Sequence, residues 1–136
     1  MLVRVGQEVQ EVPRRLIERF VDAFNDEDFD ALADVLDPHA EIQTARGLVI
    51  GREEARDWAR RNPDGHLHQR LELEEVHDAG HPTVAMLKRQ WRWKESEEIA
   101  DEEQVAVLVS FKDGLIARWQ PFEDRAEALR AAGLSA

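Results

Sequence analysis

The chain has no cysteine and no tyrosine, and only two methionines in 136 residues. Without cysteine there is no disulfide, no thiolate nucleophile and no cysteine metal site. Long hydrophobic runs are missing too. None approaches the ~18 residues of a spanning helix, so no helical membrane span is expected. The first residues, Met1–Glu11, lack the apolar block of a signal peptide, which points to a cytoplasmic protein. Positive charge is in deficit, 18 Lys and Arg against 29 Asp and Glu, for a formal net charge of −11. Nucleic acid and anionic membrane would both be repelled by that balance, so neither is expected as a partner.

What is present suits one domain: an arm over residues 1–12 and a single domain over residues 13–136. Pro13 stands where a first helical residue would, and Leu16, Ile17, Phe20, Val21 and Phe24 follow at helical spacing. Asn25-Asp26 closes that helix, and Asp28 or Asp26 is placed to cap a second one carrying Phe29, Leu32 and Leu36, ended by Pro38. A short strand His39–Thr44 and a turn at Arg46-Gly47 come next. Gly51 then precedes a third helix with Ala55, Trp58 and Ala59 inward. Asn62-Pro63-Asp64-Gly65 breaks the chain.

From Leu67 the apolar period drops to two. Leu67, Gln69, Leu71 and Leu73 alternate with His68, Arg70, Glu72 and Glu74, and Val76 falls out of phase, which predicts a bulge near Glu75. Gly80-His81-Pro82 turns into a strand Val84–Trp93, and a polar link Lys94–Asp101 leads to a strand Glu103–Phe111. Lys112-Asp113-Gly114 makes a hairpin loop, and the last strand runs to Trp119, stopped by Pro121. Ala126, Leu129 and Leu134 mark a short C-terminal helix. The fold class is α+β, three N-terminal helices packed on a curled antiparallel sheet.

Gly51-Arg52-Glu53-Glu54-Ala55, the helix Leu16–Asn25, Phe111-Lys112-Asp113-Gly114-Leu115-Ile116 and the ending Asp124–Leu134 resemble the cone-shaped NTF2-like superfamily, specifically its SnoaL-like branch. The resemblance implies a sheet wrapped around a cavity closed by helices. It also implies, for many relatives, a homodimer through the outer sheet face. Polyketide cyclases, ketosteroid isomerases, limonene-epoxide hydrolases and non-catalytic binding modules share this fold, so function must be argued from residues.

One charge interrupts the dry face: Arg89, in phase with Leu87, Trp91 and Trp93. A buried charge needs a partner or a wet cavity. Closing the hairpins by pattern places Phe111 beside Leu115, Val107 near Trp119, Trp93 near Glu103, Trp91 near Val105 and Arg89 near Val107. Arg89, Glu103 and the indoles then share an interior. Resemblance to the epoxide hydrolases suggests Glu41 and Gln43 as the positions that hold an attacking water. The aspartate which that family carries after the last-strand tryptophan corresponds to Pro121, and no aspartate lies on Val84–Trp93. An isomerase site built on a tyrosine cannot form in a chain that lacks one.

Three readings follow. The first is a small, partly apolar organic ligand walled by Trp58, Trp91, Trp93 and Trp119 and oriented by Arg89, Glu41, Gln43 and Glu103. The second is an isomerase or cyclase removing a proton from a polyketide- or steroid-like substrate. Glu41 or Glu103 would be its base and Arg89 its oxyanion stabiliser. The third is a non-catalytic interaction module whose outer sheet face, rich in charge, makes a homodimer. Apart from all three, Arg89 and Glu103 could simply form an interior salt bridge that holds the sheet, with no substrate. His66 and His68 are too loosely spaced to argue for a metal, and no cofactor motif is present.

Overall fold

In the computed structural model, the described residues are 2–44, 47–60, 66–78, 83–122 and 124–133. The elements in chain order are α1 (Leu2–Asn25), α2 (Phe29–Asp34), β1 (Leu36–Thr44), β2 (Gly47–Ile50), α3 (Arg52–Arg60), β3 (Leu67–Asp78), β4 (Thr83–Trp93), β5 (Ile99–Lys112), β6 (Leu115–Phe122) and α4 (Arg125–Ala131). The six strands form one sheet in the order β2-β1-β6-β5-β4-β3. All neighbours are antiparallel except β1 and β6, so the expected antiparallel sheet is a mixed one.

Two apolar layers flank the sheet. Ala40, Ile42, Leu71, Ala85, Leu87, Val105, Val107, Val109 and Trp119 on its concave face pack with Leu16, Ile17, Phe20 and Val21 of α1 and Leu32 of α2. Val84, Met86, Ala106 and Leu108, the alternate residues of β4 and β5, pack under Ala128 and Leu129 of α4. The central strands are thus dry on both faces where helices cover them, and alternation decides which helix each residue meets. Asp28 caps α2 by accepting from the Ala31 amide at 3.2 Å, and Asp124 caps α4 by accepting from Ala126 at 2.9 Å.

The GREEA segment is spent on architecture. Gly51 takes φ +101°, Arg52 donates from Nε to the Leu36 carbonyl at 3.0 Å, Glu54 accepts from the Ile50 amide at 3.3 Å, and Ala55 is wholly buried. Asp113 and Gly114 form a two-residue turn with φ +53° and +78°, the mirror-image type that suits the twist of a hairpin.

Several expectations shift. Helix α1 starts at Leu2, so the expected arm is helical and Pro13 lies inside the helix rather than at its first position. Leu2, Val5, Val9 and Val12 already stand at the helical spacing continued by Leu16 and Phe20, and proline's fixed φ suits a helix although its missing N–H weakens it. Helix α2 ends at Asp34, and Pro38 sits inside β1 where the pairing to β6 slips between Leu36 and Glu41. Pro121 sits inside β6 opposite Val107, beyond the last β1 partner at Trp119, so it does not stop the strand. A four-residue strand, β2, follows the turn at 46–47. The bulge in β3 falls between Leu73 and Glu75 as expected, returning Val76 to the concave face opposite Ala85. The turns expected at 62–65 and 80–82, Arg46 and Leu134 lie outside the described residues.

Candidate functional site

The β4–β5 connection is shorter than the sequence suggests. Strand β5 begins at Ile99, and Trp93 donates its amide to the Glu98 carbonyl at 3.0 Å. Arg89, expected opposite Val107, is therefore opposite Glu103, with Leu87 opposite Val105 and Trp91 opposite Asp101. In the last hairpin a bulge between Ser110 and Phe111 sets Phe111 opposite Ile116 and Val109 opposite Trp119. The first slip, of four residues, leaves the faces unchanged, because side chains alternate with period two. The second is a bulge, and it turns Ile116 rather than the expected Leu115 into the core beside Trp119.

The concave face changes character along its length. Under α1 it is core: Phe20 stacks on Trp119 with ring centroids 4.1 Å apart, and Trp119 is 4% exposed. Beyond Leu87 and Val105 the same face carries Arg89, Glu103, Trp91, Asp101 and Trp93, flanked on β3 by Gln69 opposite Trp91 and Leu67 opposite Trp93. This stretch is its open end, with Trp91 half-buried and Trp93 46% exposed.

Arg89 organises the open end. Its Nη1 donates to Glu103 Oε1 at 3.3 Å, and its Cζ lies 5.7 Å from the centre of the Trp91 ring. Its Nε is buried with no hydrogen-bond partner among the described residues. A guanidinium over an indole is a favourable pairing, and a buried unsatisfied donor is an unfavourable one. The side chain is 30% exposed and that of Glu103 is 48% exposed, so this ion pair is a weak one rather than a sealed core bridge.

The remaining candidates do not converge there. Glu41 and Gln43 lie on the outer face, because Ala40 and Ile42 turn inward to the core. Glu41 is beside Arg118, and Gln43 is exposed and donates to the Thr44 carbonyl at 3.3 Å. The sheet thus separates Glu41 from Arg89. Trp119 belongs to the core, and Trp58 packs half-buried against that core from α3. His68 is 2.9 Å from Glu97 and His77 is 2.9 Å from Glu75, and no cluster of three metal-ligating side chains occurs among the described residues. Two clefts lie elsewhere. One of about 150 Å³ on the outer face, between Glu74, Gln104 and Arg125, is smaller than the clefts that bury a drug-sized ligand. An open groove of about 430 Å³ runs between α1 and β3, where Glu18, Asp22 and Glu72 meet Arg70.

Sequence reasoning missed Asp101 and Gln69, which the hairpin register brings beside Trp91. It also missed Gln90. This side chain faces outward yet is 5% exposed, held between Arg92, whose Nη2 donates to Oε1 at 2.7 Å, and Glu102, which accepts from Nε2 at 2.9 Å. An uncharged amide flanked by long charged side chains is the only signal for it in the sequence.

A family model described as a SnoaL-like domain matches residues 17–119. Among solved structures, the chain is similar to an LEH-like epoxide hydrolase of M. tuberculosis, at 16% identity and TM-score 0.69 over 90% of this chain and 85% of that one. It is also similar to an NTF2-like protein of unknown function from Burkholderia pseudomallei, at 18% identity and TM-score 0.69 over 89% and 97%. A third is a protein of ketosteroid isomerase-like fold from Catenulispora acidiphila, in complex with trimethylamine, at 17% identity and TM-score 0.68 over 88% and 92%. Likenesses at such identities show the fold alone. No curated protein matches. With most of its length under the family model and the curled sheet and helices of the NTF2-like cone around it, this chain belongs to the SnoaL-like domain family.

Proposed function

We propose that the chain binds a small, partly apolar organic molecule at the open end of its concave sheet face. The observation that carries the proposal is Arg89, a cation on the inner face whose buried Nε has no partner among the described residues, set among half-exposed indoles. Apolar walls with a few convergent polar groups are what ligand sites are made of. Binding is favoured over chemistry because Glu41 stands across the sheet from Arg89, and Glu103, the other candidate base, is half exposed to water rather than held in a dry cavity that would raise its basicity. A thermal-shift screen of small ring compounds tests it. At least one should raise the Tm of the wild type, and Arg89→Met should abolish that rise while remaining folded. Stabilisation unaffected by Arg89→Met would refute the site.

The homodimer implied by the family resemblance is part of this proposal. Leu48 and Ile50, 48% and 51% exposed on the outer side of the edge strand β2, supply an apolar surface for it. Sedimentation of Ile50→Lys should then give the mass of one chain where the wild type gives two, and a wild-type protein of one-chain mass would rule the dimer out.

A further inference from the structure

We infer that the ligand of this open end is a flat monocarboxylate, an aromatic acid in the simplest case, and that Glu103 is the chain's own competitor for the seat. The inference rests on reading the open end as a ligand site, and adds the ligand's charge and the residue that regulates its access.

The geometry around Arg89 is that of a carboxylate seat only partly used. A guanidinium fork matches a carboxylate through two parallel hydrogen bonds of about 2.7–2.9 Å. Glu103 makes one contact of 3.3 Å and leaves Nε without a partner among the described residues. At 48% exposure the Glu103 side chain is free to swing into water, and an exposed ion pair resists such displacement weakly. A carboxylate that takes the fork through both Nε and an Nη nitrogen satisfies the donor that Glu103 misses.

The rest of the ligand is specified by what stands beside the fork. Trp91 already lies against the guanidinium, and Trp93 is on the same face two residues on, with Leu67 opposite it. Indoles in that arrangement offer faces and edges to a ring continuing away from the carboxylate. Asp101, paired with Trp91 across the ladder and accepting from the Glu102 amide at 2.8 Å, adds a second negative charge to this rim, which disfavours a second anionic group on the ligand. One carboxylate and an uncharged flat body is the combination that fits.

Calorimetric titration with naphthoate and its uncharged isostere naphthamide decides the matter. The wild type should bind naphthoate about tenfold more tightly than naphthamide. Glu103→Gln, which keeps the shape and removes the competing charge, should tighten naphthoate about fivefold and leave naphthamide unchanged. Arg89→Lys, which keeps the cation and removes the fork, should weaken the preference, and Arg89→Met, which removes both, should abolish it; a preference unchanged in Arg89→Met overturns the inference. Equal binding of acid and amide, or a Glu103→Gln protein with unaltered naphthoate affinity, overturns the inference and leaves the ligand site standing. Failure of naphthoate to bind either protein also overturns the inference, and the screen of ring compounds with Arg89→Met then decides separately whether the site stands.

Discussion

At the scale of single residues, the tryptophans show how far alternation reaches. Period two identifies Trp91, Trp93 and Trp119 as inward-facing, and all three are on the concave face. It does not say how deep each lies, because depth depends on where α1 and α2 stop covering the sheet. Trp119 is stacked on Phe20 inside the core, while Trp93 is half in water at the rim. Substitution should separate the two. Trp119→Ala is expected to cost about 3–5 kcal/mol in urea unfolding, as for a large aromatic removed from a packed core. Trp93→Ala should stay within about 1 kcal/mol of the wild type, and its effect should fall on ligand affinity instead. Equal stability losses at both positions would contradict the boundary between core and site. Glu41 teaches the companion lesson. The sequence separates Glu41 and Gln43 from Ala40 and Ile42, but only the burial of the second pair says which face meets the helices.

At the scale of elements, features set by neighbouring residues were legible and features set by closure were not. The Asp113-Gly114 turn, the Asp28 cap and the bulge before Val76 each depend on a few adjacent residues, and each is where the pattern puts it. The parallel pairing of β1 with β6 joins segments far apart in the chain, and no local signal announces it. The β4–β5 register departs from the pattern because Ile99–Asp101, in a polar stretch, is strand, and hydrophilicity alone does not end a strand at a solvated rim. Asn25 belongs to this scale as well. Besides closing α1 it reaches the edge strand β3, where its Oδ1 accepts from the Leu71 amide and its Nδ2 donates to the Leu71 carbonyl, both at 2.8 Å. One side-chain amide thus takes the place of a further strand and fixes the helix terminus to the sheet edge. Asn25→Ala leaves both backbone groups without that partner and should cost about 1–3 kcal/mol, with faster amide hydrogen exchange at Leu71. Unchanged exchange there would show that water replaces the side chain fully.

At the scale of the whole molecule, charge balance decides how the fold answers to salt. The ion pairs Arg14–Glu18, Arg56–Asp30, Lys88–Glu102, Arg89–Glu103 and Arg125–Glu75 each have at least one side chain well exposed to solvent. Pairs of that kind are worth about 0–1 kcal/mol each. Against them stands an excess of 11 negative charges, which repel one another across the surface of a small domain. Salt screens both contributions, and raising it from 0.1 M to 1 M shortens the screening length from about 10 Å to about 3 Å. The pairs lose little, because their oppositely charged atoms are nearly in contact, whereas repulsion over longer distances is almost wholly removed. Sodium chloride should therefore stabilise the protein, raising Tm by roughly 3 °C between low salt and 0.5 M. A melting temperature that falls over this range would mean that the surface pairs hold the fold more strongly than the net charge opposes it.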